Sequence, residues 1–213
     1  MIADTVFPPR CVFCGEVVSA GKDLCPKCEK GNPRIHAKKW IFIPEMGQTI
    51  QCVVPYAYDG KVRQAIIDFK FYNHRDYAGF FGRQIADELS SPAAEFDFIT
   101  SVPISAERKR LRGYNQSELI AEAAANRLNL AYRETLIKVK DNREQHKLKE
   151  KERKKNVRGI YRTILQEDIA GKKILLIDDI VTTGATLAEC AGTLLQAGAD
   201  YVLCAAVAEV ELS

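Results

Sequence analysis

The run Lys173-Ile-Leu-Leu-Ile-Asp178-Asp179-Ile-Val-Thr182-Thr183-Gly184-Ala185-Thr186 constrains this chain more than any other stretch. Its continuous apolar centre suits a central parallel strand covered on both faces. Such a strand delivers two adjacent carboxylates to its carboxyl end, the edge where open α/β sheets bind ligands. Beyond them, Thr182, Thr183 and Thr186 offer hydroxyls, and backbone N–H groups opening the next helix, from Ala185 on, favour a phosphate. Gly184 lets the chain approach an anion closely. Paired carboxylates beside a phosphate cradle suit a ribose phosphate. Asp178 and Asp179 would accept from its 2'- and 3'-hydroxyls, directly or through Mg2+. A plain helix cap after a strand explains one Asp or Thr, not the whole set. The rival cradles GxxxxGK[ST] and GxGxxG are absent.

The remainder reads as strands alternating with helices. Strands are expected at Cys52–Tyr58, Phe96–Val102, 136–139, Ile160–Ile164, Lys173–Asp178 and Tyr201–Val207. Helices are expected at Asp59–Phe71, Tyr77–Leu89, Gln116–Leu128 and Gly184–Ala197, and a loop from Pro103 to Gly113. This order predicts an α/β fold with a largely parallel sheet.

Two cysteine pairs, Cys11-Val-Phe-Cys14 and Cys25-Pro-Lys-Cys28, stand ahead of that pattern. Each places two thiolates on one tight turn, and together they supply the S4 set that Zn2+ accepts. A thioredoxin-like redox pair wants a single CxxC beside a strand–helix unit, and iron remains compatible with the spacing. A segment this small needs its metal in order to fold. The division expected is a zinc module over 1–32, an irregular connector over 33–50 and an α/β domain over 51–213. Cys52, Cys190 and Cys204 lie in apolar contexts and read as buried small hydrophobes.

The formal charge of +3 does not by itself suggest nucleic acid, but its distribution is uneven. Lys138 to Arg158 carries ten Lys/Arg against four Asp/Glu, and Arg108, Lys109, Arg110 and Arg112 form a second basic cluster. No apolar run approaches the roughly 20 residues that span a bilayer. The opening MIADTVFPPR has no basic stretch followed by an apolar core, so a cytoplasmic location is expected.

ILLIDDIVTTGAT resembles the phosphoribosyl-diphosphate motif of type I phosphoribosyltransferases, which pair a parallel-sheet core with a hood. Four further pieces sharpen the resemblance: the CxxC pairs, Tyr58-Asp-Gly60 through Lys70-Phe71, Arg112-Gly-Tyr-Asn-Gln116 after Val102-Pro103, and Arg153-x-x-Asn156-Val157-x-Gly159. In this order they resemble the ComF family, zinc-bearing proteins associated with natural competence and the handling of transforming single-stranded DNA. The resemblance implies a site for phosphoribosyl diphosphate with Mg2+, and partners among single-stranded DNA and competence helicase or processing proteins. It also implies that Ser101, Val102, Pro103 and Ser105 belong to the diphosphate loop, with Arg112 as a diphosphate ligand. Whether a base is transferred, as in nucleotide salvage, or the chain acts as a non-catalytic adaptor stays open. Asn115 and Gln116 either orient a ligand or cap a helix. Lys70 either reaches the phosphate or snorkels at the surface. Gln145, Arg153 and Asn156 belong to a hood, a solvated charged face or a DNA-tracking surface.

Overall fold

The computed structural model describes residues 8–89, 96–140, 159–164 and 166–211. Six strands form one sheet in the order β1 (Arg34–Ile43), β2 (Gln48–Ala57), β8 (Tyr201–Glu209), β7 (Lys173–Val181), β3 (Phe98–Ser101), β4 (Ala131–Tyr132). Only β1 runs antiparallel to its neighbour; the other pairings are parallel. A separate antiparallel pair joins β5 (Leu136–Lys138) to β6 (Tyr161–Thr163).

The apolar runs decide which strands are central. In β7 Ile174 to Ile177 are all buried, alternate residues entering the two cores on either side of the sheet. Leu175 and Ile177 meet the layer made by α2 (Gly60–Phe71), α3 (Tyr77–Glu88) and α5 (Gln116–Leu128). Ile174 and Leu176 meet α6 (Ala185–Gln196) and the small sheet. Each such aliphatic contributes about 1.5–3 kcal/mol by leaving water. The α2 face is the expected one, with Val62, Ala65, Ile66 and Phe69 buried.

Three expectations change. Residues 33–50 are not an irregular connector: β1 and the start of β2 occupy them as a hairpin continuous with the sheet. The stretch after Pro103 is not all loop, because Ala106–Arg112 forms a short helix, α4, that buries none of its residues. The acidic strand does not stop at Asp178, since pairing with β8 continues through Ile180 and Val181.

The cysteine segment, with its short helix α1 (Pro26–Lys30), packs directly on the helical layer. Phe13 stacks edge-on against both Tyr56 and Phe80, at 5.9 and 5.4 Å between ring centres. Arg83 also pairs with Asp23 across this contact at 2.6 Å. Among the described residues no helix is long and apolar enough to cross a membrane.

Candidate ligand and metal sites

The sheet order creates a switch point between β3 and β7. From β3 the chain moves outward to β4 through α5; from β7 it moves the other way to β8 through α6. Those two helices lie on opposite faces, so a crevice opens beyond the carboxyl ends of the two strands. Asp178, Asp179 and the turn to Thr186 stand at this crevice.

Successive strand residues point to opposite sides, and the two carboxylates have different partners. Asp178 Oδ1 accepts from the Ser117 hydroxyl at 2.8 Å and from the Asp179 N–H at 2.8 Å. Asp179 Oδ2 pairs with Lys70 Nζ at 2.8 Å. Burial, then the negative charge of Asp179, pushes the Asp178 carboxyl up to about 7, against the Ser117 hydroxyl, the Asp179 N–H and Lys70. Lys70 therefore sits at the acidic pair.

Asn115 caps α5 and also ties it to the preceding strand. Its side-chain oxygen accepts from Ser117 N at 3.2 Å, and its amide donates to Val102 O at 3.0 Å. The end of β3 is thereby tied to the start of α5. Gln116 is only 1% exposed; its oxygen accepts from Arg112 at 3.1 Å, while its Nε2 is buried without a hydrogen-bond partner. Arg112 also lies 5.2 Å from the Phe71 ring centre.

The loop after β7 turns tightly into α6. Gly184 is left-handed at φ +78°, and a Cβ there would lie 3.0 Å from two carbons of Ile41 on β1. Thr182 is exposed, while Thr183, Ala185 and Thr186 are partly buried. Ala185 N lies 3.4 Å from the Thr183 hydroxyl. On the β3 side, Val102 N donates to Ile177 O at 2.9 Å, and Val102 and Pro103 are buried. The Ser101 hydroxyl lies 3.0 Å from that of Tyr132, and Ser105 caps α4 by accepting from Arg108 N. Both serines therefore already have protein partners.

Gln145, Arg153 and Asn156 lie outside the described residues. Ser117 was missed by sequence reasoning. The only local signal for it is a hydroxyl in the first turn of the helix that leaves the switch point.

Near the start of α2, Cys11, Cys14, Cys25 and Cys28 bring their sulfurs within 4.8 Å of one another, all but Cys14 buried. A tetrahedral zinc with bonds of about 2.3 Å requires sulfur–sulfur edges near 3.8 Å. The Cys14–Cys25 separation is 3.7 Å, so the set fits that ion. Lys61 Nζ donates to Cys28 Sγ at 3.4 Å, an outer contact suited to thiolate charge. Cys52, Cys190 and Cys204 are fully buried, and desolvation raises each thiol, as inert core residues require.

Comparison with known proteins matches both parts of the chain. Residues 2–39 match the double zinc ribbon domain, although this segment carries one four-cysteine set. Residues 115–211 match the phosphoribosyl transferase domain. The DNA utilization protein YhgH of Salmonella typhi is 30% identical over 200 residues, covering 90% of this chain and 86% of that protein. Competence protein ComFC of Bacillus subtilis is 29% identical over 88% of this chain and 72% of its own length. Competence protein F of Haemophilus influenzae is 25% identical over 91% of this chain and 82% of its own. The expected phosphoribosyltransferase-like core and four-cysteine zinc module are thus both present.

Proposed function

Since the chain belongs to the ComF family, we propose that it binds phosphoribosyl diphosphate with Mg2+ between β3 and β7. We further propose that this binding serves the handling of transforming single-stranded DNA in the cytoplasm, alongside helicase or processing proteins. The observation that carries the ligand reading is the acidic pair at the switch point, followed directly by the left-handed Gly184 turn into α6. The names of the relatives, DNA utilization and competence proteins, support the DNA reading.

In this reading Thr182, Thr183, Gly184, Ala185 and Thr186 hold the 5'-phosphate through hydroxyls and the N–H groups at the start of α6. Asp178 and Asp179 take the ribose diol. Both are hard oxygen donors of the kind Mg2+ accepts, and the ion would neutralise diphosphate charge. Ser101, Val102, Pro103 and Ser105 line the diphosphate side, with Arg112 beyond them as the cation. Lys70 exchanges its carboxylate for the ligand when the site fills. Zinc holds the four cysteines and is structural.

Titration calorimetry with phosphoribosyl diphosphate and Mg2+ tests this on the zinc-loaded protein. Binding is expected in the wild type and lost in a folded Asp178→Asn/Asp179→Asn variant. No heat from a folded wild type, or equal binding by the variant, would overturn it.

A further inference from the structure

Beside the acidic crevice lies a surface whose aromatic residues the ligand reading leaves unused. Phe71 and Tyr72, at the end of α2, are 63% and 68% exposed, and Leu111 on α4 is 76% exposed. Aromatic rings do not stand in water for packing reasons, and these two are consecutive. Guanidinium groups flank them. Arg112 lies over Phe71, and Arg75 lies 4.6 Å from the ring centre of Tyr114. Arg108 is exposed, four residues before Arg112 and so on the same face of α4. Arg108 has no carboxylate partner among the described residues.

The two segments belong together in space. Arg112 reaches from α4 to Phe71, and a Cβ on Gly113 would lie 3.0 Å from Arg75. Residues 70–76 and 106–112 together carry six Lys/Arg against two Asp/Glu, a balance of +4. The surface is also wired to the crevice. Lys70, one residue before Phe71, pairs with Asp179; Arg112 holds Gln116, whose neighbour Ser117 donates to Asp178.

We infer that Phe71 and Tyr72 are a stacking platform for the bases of single-stranded nucleic acid, whose phosphates run along Arg75 and Arg108. Exposed aromatic faces bordered by cations take unpaired bases by stacking without reading sequence, and they take the backbone by counterion release. Arginine suits this edge because its planar head stacks as well as it pairs with phosphate. The inference deepens the DNA half of the proposed function and rests on it.

A second exposed pair, Trp40 at 65% and Phe42 at 56% on edge strand β1, is the rival platform. Its cations are engaged: Lys39 pairs with Glu209, and Arg34 and His36 both meet Glu88. Among the described residues that leaves Lys38 as the only free cation along β1, too little to hold a phosphate backbone.

Fluorescence anisotropy of a labelled poly-dT oligonucleotide, titrated with zinc-loaded protein at several salt concentrations, decides between them. Phe71→Ala/Tyr72→Ala is expected to weaken binding by about ten- to a hundredfold, the loss typical of removing base stacking. Arg75→Glu/Arg108→Glu should weaken binding and flatten its salt dependence by about one unit of slope per cation removed. Trp40→Ala should change neither. Calorimetry with phosphoribosyl diphosphate on Tyr72→Ala alone, which leaves Arg112 on the Phe71 ring, should match wild type, and circular dichroism should show both variants folded. Wild-type DNA binding that survives Phe71→Ala/Tyr72→Ala, or that is lost with Trp40→Ala instead, overturns the platform and leaves the DNA reading standing. Absence of DNA binding by the wild type overturns both, while the phosphoribosyl diphosphate result is read separately.

Discussion

The thiol cluster and the carboxylate pair each gather groups that repel when ionised, and the fold treats them in opposite ways. Three of the four cysteines are buried on an aromatic core, and Lys61 is the nearby cation that donates to one of them. At the strand edge the protein supplies its own partners: Ser117 and a backbone N–H for Asp178, Lys70 for Asp179. The cysteine corner sets one cation against four thiols, whereas at the edge each carboxylate has a partner of its own. One corner needs an ion to hold its fold, and the other holds its charges with the fold's own partners.

The largest effect should come from zinc. Stripping the metal with a chelator, or Cys25→Ser, is expected to cost several kcal/mol and lower the melting temperature by on the order of 10 °C or more. Thermal unfolding followed by circular dichroism measures this, and an unchanged melting point would erase the contrast between the corners. Phe13→Ala comes next, because it empties the edge-on contact with Tyr56 and Phe80. A loss of about 3–4 kcal/mol is expected from urea titration. A loss below about 1 kcal/mol would mean that the ribbon merely rests on the core.

At the edge the effects should be smaller. Gly184→Ala forces an L-residue to φ +78° and sets its Cβ against Ile41, for about 2 kcal/mol of stability. Adding Ile41→Ala, which removes both crowding γ carbons, and comparing with Ile41→Ala alone should recover only part of it, since the backbone strain persists; full recovery would assign the cost to crowding alone.

Asp178→Asn should have the smallest effect, and one of opposite sign. The carboxyl is raised to about 7 in the folded chain from an ordinary value of 3.8. Between those values the unfolded chain has released a proton that the folded chain retains, so stability falls as pH rises through this window. The amide removes that cost. In Mg2+-free buffer the variant should match wild type below about pH 4 and gain roughly 1–2 kcal/mol above pH 7, after allowing for partial screening. Denaturation midpoints across pH would show it, and a variant less stable at pH 8 would contradict the strained-carboxylate view.

Features carried by neighbouring residues were legible in the chain itself. The CxxC spacing predicts a metal set because two turns and four thiols are local facts. The apolar centre of β7, the acids that follow it and the Gly184 turn are one continuous stretch, so the sheet class and the site's place at its edge could be read directly. Two elements escaped for lack of apolar periodicity. Helix α4 buries nothing, and β1 is an edge strand with Lys38 and Trp40 exposed. Hydrophobic pattern does not reveal α4, which adds nothing to the core, nor β1, whose buried Ile41 and Ile43 stand between exposed but equally apolar Trp40 and Phe42. Tertiary structure alone decided which groups satisfy the acids. Ser117 and Lys70 stand 61 and 109 residues from the carboxylates they meet. Only the closing of the parallel sheet, with α2 and α5 packed on one face, brings such distant chain segments within hydrogen-bonding reach.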